Sequence, residues 1–252
     1  MHKLYRKVEN SLIKQISKKN LLLLISVSVM SCLQQHSHNY TPQLEKAIQL
    51  FYTENRNEEV LNILSDLNES ELLDPQTALI SQLIKAGALC ESGKIDSAYA
   101  IIKTIKLVNE NEQSQFWMNS IHGLVLFRMN QLGEAYKTLI PTTNSKYSDK
   151  RALGLNERLL ARISFNLDDQ EKAVEWLYLS NQHFKEASLP KSLGVNLKIQ
   201  GRNYINNHNY KEALEAFAEA EKIFVQQNDK IELFYIYINF VDYYIKTNDL
   251  QN

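Results

Sequence analysis

One register of small residues runs through most of this chain and leaves few folds open to it. In residues 194–227, Gly201 and Ala213 stand 12 apart on two helical patterns split by the polar turn Asn206–Asn209. The first pattern carries Leu197, Gly201, Tyr204 and Ile205 on one stripe. The second carries Ala213, Leu214, Phe217, Ala220 and Phe224, with Lys and Glu between them. Gly201, Ala213 and Ala220 let a neighbouring helix come close, and Tyr204 and Phe217 fill the space that remains. Two helices joined by a short turn need that alternation of small and large.

The register recurs. First-helix markers fall at Ile48, Ala86, Gly123, Ala161, Gly201 and Val241, with spacings of 38, 37, 38, 40 and 40. Second-helix markers fall 12 residues later at Val60, Ala98, Ala135, Ala173 and Ala213. A large residue follows each second marker: Leu64, Ile102, Leu139, Leu177 and Phe217. After the first markers come Phe51, Leu89, Leu126, Ser164, Tyr204 and Tyr244, so Ser164 breaks the pattern and Phe165 beside it is expected to compensate. Short polar turns lie at Glu54–Glu58, Glu91–Asp96, Asn130–Gly133, Asn166–Gln170, Asn206–Asn209 and Thr247–Asp249. Pro141 is expected to end or kink its helix near Ile140 and to leave Thr142–Lys150 as a longer loop. Pro75 and Pro190 fall harmlessly between copies.

Five passes in one register resemble tetratricopeptide (TPR) repeats, pairs of antiparallel helices that stack on copies of themselves. The resemblance covers residues 41–252 and implies an all-α, right-handed superhelical α-solenoid of five full repeats plus the first helix of a sixth. These repeats of about 38–40 residues exceed the usual 34 by about one helical turn. They are similar to the arrays of maltose-regulon-activator regulators and to lipid-anchored TPR proteins of bacterial envelopes. The first copy, with Ile48 and Val60 at its markers, reads as an N-terminal cap. The outer-membrane-assembly TPR lipoprotein usually shows Tyr-Pro after its second helices, and none occurs here, so an accessory role in outer-membrane assembly ranks last among the alternatives.

The N-terminus reads as a targeting segment. Lys3, Arg6, Lys7, Lys14, Lys18 and Lys19 form a basic region before the apolar run Leu21–Met30, which is half the length that spans a bilayer. The run ends Val29-Met30-Ser31-Cys32, which resembles a bacterial lipobox. The resemblance implies a lipoprotein signal peptide over residues 1–31, lipidation (palmitate) of Cys32, and a polar tether over 32–40. It also implies the periplasmic face of the outer membrane, because Leu33 follows the Cys where an Asp would often retain the protein. Cys90 is then left without an intrachain partner and is expected to be buried and inert. Thr41-Pro42 reads as a helix N-cap with Pro at the first helical position.

Charge and chemistry narrow the function. The formal charge of −1 hides a basic leader: residues 32–252 hold 22 cationic and 28 anionic side chains. Such a body has no general pull toward nucleic acid. There is no phosphate-cradling Gly loop, paired Cys, helical zinc-binding His pair or nucleophile elbow. His36 and His38 in the tether fall short of a metal site, which wants four ligands. His122, His183 and His208 are scattered, and the carboxylates show no pairing beyond that of solvent-facing helices. No enzyme activity, metal or cofactor is expected.

The concave face is where a partner would sit. Offsets −3 and +1 from the first-helix markers point into the groove of a stacked array. In copies four and five these are Arg158, Arg162, Lys198 and Arg202, with Asn166 and Asn206 a turn further on. This basic strip is the candidate partner-binding groove, suited to a protein or peptide partner's carboxylates. Trp117, Phe127 and Phe165 are assigned to core packing rather than to that groove. The leading reading is a lipid-anchored, non-catalytic scaffold that binds a protein or peptide in the bacterial envelope. The alternative is a sensory or regulatory array from a longer protein with an output domain. Residues 231–245 are apolar on more than one face, which points either to a truncated product or to a face that docks a partner or a second copy.

Overall fold

The computed structural model describes residues 40–54, 56–68, 72–105, 111–147 and 149–247. The proposed leader, Cys32, the tether with its two histidines, and residues 248–252 lie outside them. Among the described residues all regular structure is helical. α1 (Pro42–Thr53) and α2 (Asn57–Ser65) form the first hairpin, α3 (Pro75–Glu91) and α4 (Ile95–Thr104) the second, α5 (Glu112–Arg128) and α6 (Leu132–Thr143) the third. α7 (Lys150–Asn166) with α8 (Gln170–Glu186) is the fourth, and α9 (Pro190–Asn206) with α10 (Tyr210–Gln226) the fifth. α11 (Lys230–Thr247) is the first helix of a sixth.

The register read from the sequence is the packing register. Ile48, Val60, Ala86, Ala98, Ala135, Ala161, Ala173 and Ala213 are all fully buried, and Gly123 and Gly201 are buried with them. A Cβ on Gly123 would strike the Leu139 side chain at 2.5 Å, and one on Gly201 would strike the Phe217 ring. Each glycine is thus the hole for the large residue of its own hairpin. The fourth and fifth copies repeat the device one heptad upstream, where Gly154 receives Phe184 and Gly194 receives Phe224. Phe184, Phe217 and Phe224 are buried as a result, and each contributes roughly 1.5–3 kcal/mol relative to exposure.

Turn chemistry fixes the hairpins. Inside the copies the chain turns at Gly93, Asn130, Asp168 and His208, all at positive φ; between copies it does so at Ser188 and Asn228. Each turn closes a helix with a backbone bond from three residues past its end, such as Asn209 N to Tyr204 O at 2.9 Å and Asp229 N to Phe224 O at 2.9 Å. Helix starts are capped where the sequence expects it: the Thr41 hydroxyl accepts from Leu44 N at 3.3 Å, with Pro42 next. Asp74 and Asp149 cap α3 and α7 in the same way. Burial alone would raise the Asp149 carboxyl. Its bonds to Arg151 and to the first N–H groups of α7 outweigh that and hold it below its ordinary value.

Two sequence expectations need correction. Pro141 does not end its helix near Ile140: α6 runs on to Thr143. The proline removes one donor close to the helix end, and the hydroxyls of Thr142 and Thr143 turn back onto Leu139 O and Ile140 O at 2.6 and 2.9 Å. The loop to α7 is shorter than expected for that reason. Phe165 does not replace the missing bulk at Ser164 either; it lines a surface cavity described below.

First helices also touch first helices of adjacent copies, and the array curls far enough for α1 to reach α7. Arg151 reaches across 106 residues of sequence to Glu45 on α1, with Nη1 to Oε1 at 2.8 Å.

Candidate binding cavity on the concave face

The curl encloses a cavity of about 620 Å³ whose helical lining comes only from first helices: α1, α3, α5, α7, α9 and α11. Arg158, Arg162, Lys198 and Arg202 all reach it, as the marker offsets expect. A second, shallower cavity of about 470 Å³ adjoins it, lined by Arg162, Phe165, Asn166, Arg202, Asn203 and Asn206 among others. The six residues of the sequence-derived groove therefore come together along two neighbouring depressions that share Arg162 and Arg202.

Their environments differ. Lys198 is not a free cation: its ammonium pairs with Glu232 on α11 and lies 5.1 Å from the Tyr235 ring centroid. Arg128 pairs with Glu91, Nε to Oε1 at 3.0 Å, and Lys191 pairs with Asp229 at 2.6 Å. These cross-copy pairs correct the expectation that carboxylates pair only along solvent-facing helices. Among the described residues, Arg158, Arg162 and Arg202 have no carboxylate partner within ion-pair distance, and all three face the larger cavity.

Arg158 is held rigidly. Its Nε donates to Asn196 Oδ1 at 2.6 Å and its Nη2 to the Ser192 carbonyl at 2.8 Å, while the guanidinium lies 4.6 Å from the Phe184 ring centroid. Burial, with Arg162 adding to it, pushes its pKa down to about 9. The group stays charged at neutral pH, with neutral acceptors and a ring face in place of a counter-ion. Arg162 stacks 4.6 Å from the Phe127 ring centroid, and burial together with Arg128 and Arg202 lowers its pKa as well. Arg202 is exposed. Asn166 is turned back, donating to Arg162 O at 2.7 Å.

Sequence reading missed the polar network behind this face. Asn196 Nδ2 donates to Ser180 Oγ at 2.9 Å and Asn181 Oδ1 at 2.8 Å, so one buried asparagine ties α8 and α9 to Arg158 of α7. Asn156, one 40-residue period earlier, does the same for α5, α6 and α7 through Ser120 and Thr142 at 2.8 and 3.1 Å. The recurrence of Asn five residues before a marker was the available signal. His183 is likewise not idle: its Nδ1 lies 2.7 Å from Oε2 of buried Glu157, whose carboxyl burial pushes up despite the histidine. Cys90 is buried, and burial pushes its thiol up to about 11. His122 is half-buried, and burial lowers its pKa. Trp117 is buried in the core, its indole N–H donating to Tyr147 Oη at 2.9 Å.

Comparison with known proteins settles the architecture. No family model matches the chain, and no curated protein sequence matches it. Solved structures do. The apo form of RapI superposes with a TM-score of 0.66 at 16% identity, over 82% of this chain and 60% of RapI. A Signal Transduction ATPase with Numerous Domains (STAND) protein with a tetratricopeptide repeat sensor, from Pyrococcus horikoshii, gives 0.61 at 16% identity, over 81% of this chain and 32% of its own. BtubC (BKLC) from P. vanneervenii gives 0.57 at 14% identity, over 82% of this chain and 85% of its own. The fold is a TPR-type α-solenoid. The chain spans 60% of RapI and about a third of the STAND protein, and identities this low bear on the fold alone.

Proposed function

We propose that this chain is a lipid-anchored, non-catalytic scaffold that receives an acidic segment of a protein partner on its concave face. The observation that carries the reading is the trio Arg158, Arg162 and Arg202. Among the described residues these three guanidiniums converge on one cavity with no carboxylate in ion-pair contact, because Glu54, Glu91, Asp229 and Glu232 in the same lining are taken by Arg56, Arg128, Lys191 and Lys198, and two of the three are partly desolvated. Their mutual repulsion is relieved by an incoming anion, and guanidinium geometry suits carboxylate oxygens. Asn203 and Asn206 extend the polar track along the second cavity. A peptide of glutamates labelled with fluorescein is expected to bind with an affinity that falls as salt rises. Equal binding of an oligolysine peptide would reject the reading.

The anchor rests on the Ser31-Cys32 lipobox resemblance, and its proposed setting is the outer membrane, facing the periplasm. Among the described residues no helix is long and apolar enough to cross a membrane, so attachment in this reading depends on acyl chains. Two or three chains hold a protein lastingly where one is marginal. Cys32→Ala is expected to abolish fatty-acid labelling in cells; persistent labelling of that variant rules the anchor out. A second reading, a sensory array within a longer protein, draws on one observation: one matching structure is of a protein with a TPR sensor, and this chain spans only 32% of it.

A further inference from the structure

We propose, on the basis of the acidic-partner reading above, that the segment taken by the concave face carries a bulky apolar side chain between its carboxylates. Leu155, Val195 and Tyr235, with Ile199, form its seat. The cations of the groove do not stand alone. Leu155, Val195 and Tyr235 lie six residues before the markers Ala161, Gly201 and Val241, at one position of three successive copies. All three line the larger cavity, so an apolar row crosses α7, α9 and α11. Three residues further on come Arg158 and Lys198, then Leu159 and Ile199, then Arg162 and Arg202. The spacing i, i+3, i+4, i+7 keeps each set on one helix face. α7 and α9 thus both present apolar, cationic, apolar and cationic residues in that order.

The array does not use up this apolar surface. Leu159 is 2% exposed and belongs to the core, but Leu155 and Ile199 are half-buried, and Ile199 lines both cavities. Val195 is half-buried as well, with part of its side chain packed on the core of the fifth copy. On α11, Tyr235 is 49% exposed, and Ile231 in the same lining is 71% exposed. The Lys198 ammonium lies against the Tyr235 ring, and the guanidiniums of Arg158 and Arg162 rest on Phe184 and Phe127. The cations themselves therefore stand in apolar surroundings.

An occupant made only of carboxylates leaves that surface wet. Water held against Leu155, Val195 and Ile199 is unfavourable in itself, and it screens the guanidinium–carboxylate contacts beside it. A leucine or phenylalanine set between the carboxylates displaces the water and strengthens those contacts. Cavities of about this size take most of their lining from apolar side chains and fix orientation with a few polar ones. The apolar side chain supplies affinity here, and the arginines on either side of it supply register.

Fluorescence polarisation with the full chain in detergent, blanked against detergent alone, tests the seat. Two fluorescein-labelled peptides of equal length and charge are compared, in which glutamates flank either one leucine or one serine. The leucine peptide is expected to bind at least about tenfold more tightly. Ile199→Ser is expected to narrow that ratio to less than about threefold. If this variant loses helical circular dichroism, Tyr235→Ser is read in the same way. Equal binding of the two peptides with salt dependence intact overturns the apolar seat and leaves the acidic-partner reading standing. A ratio that neither variant moves also overturns the seat. No binding of either peptide, or equal binding of an oligolysine peptide, rejects the acidic-partner reading and the seat with it. Octanoate that displaces the leucine peptide at a lower concentration than the unlabelled peptide does would make the occupant a free amphipathic acid and overturn the proposal.

Discussion

Replacing Phe217 with alanine is expected to lower the unfolding free energy by about 4 kcal/mol, within the range for emptying a core phenylalanine site. For a unit of this length that is a fall in melting temperature of roughly 10 °C. The size follows from where the ring sits. Phe217 is fully buried, fills the hole left by Gly201, and meets Phe240 of α11 edge-on at 5.8 Å. Removing it loosens α9 from α10 and α10 from α11 together. Because each copy leans mainly on its neighbours, the loss should fray the C-terminal copies first, and a denaturant transition should broaden as cooperativity fails. Gly201→Ala attacks the same contact from the other side. A Cβ there collides with the ring, at an overpacking cost of about 1–3 kcal/mol. Combining Gly201→Ala with Phe217→Leu should cost less than the sum of the two, since each relieves the other. A Phe217→Ala variant that melts within about 2 °C of wild type would show that the marker register does not carry the packing.

That contact was legible because it is local. Gly201, Ala213 and Phe217 lie within one hairpin, and a hairpin's packing follows from helical spacing and a short turn. Every first marker but Val241, and every second marker, is buried for that reason. The outward aim of Arg158, Arg162 and Arg202 was legible on the same grounds, as an offset from a marker. What the sequence could not show is which charges meet between copies. Lys198 finds Glu232 34 residues on, and Arg151 finds Glu45 106 residues back. Those meetings depend on how far the array curls, which small tilts at every interface set jointly. Lys198 belongs to the basic strip by its offset, yet Glu232 already holds its ammonium. The Asn196 latch on Arg158 sat in plain view as a 40-residue recurrence, but a lone buried asparagine has no helical-spacing signature, and its partners lie on two other helices.

The same distinction decides how the concave face should be tested. Arg162→Glu with Arg202→Glu is expected to raise the dissociation constant for an oligo-glutamate peptide at least about 100-fold, equivalent to roughly 2.7 kcal/mol, and to remove most of its salt dependence. Two attractive charges become two repulsive ones in the cavity that holds them, and like-charge juxtaposition in a desolvated site is strongly unfavourable. The fold should tolerate the change. Among the described residues neither arginine has an ion pair to lose. Arg162 forfeits its stacking on Phe127, worth about 0.5–1 kcal/mol. A glutamate at 162 also gains the neighbouring Arg158 and Arg128, so the melting temperature should stay within about 3 °C of wild type. Arg158 is the wrong residue for this test although it lines the same cavity. Truncating it strands the Asn196 oxygen and the Ser192 carbonyl, at about 1–3 kcal/mol for each buried group left unpaired, so lost binding and lost folding would be confounded. Peptide binding that survives the double reversal in a folded protein would mean that the three guanidiniums are not where the acidic segment goes. Binding lost together with a melting shift beyond about 8 °C would mean that Arg162 and Arg202 hold the array rather than the partner.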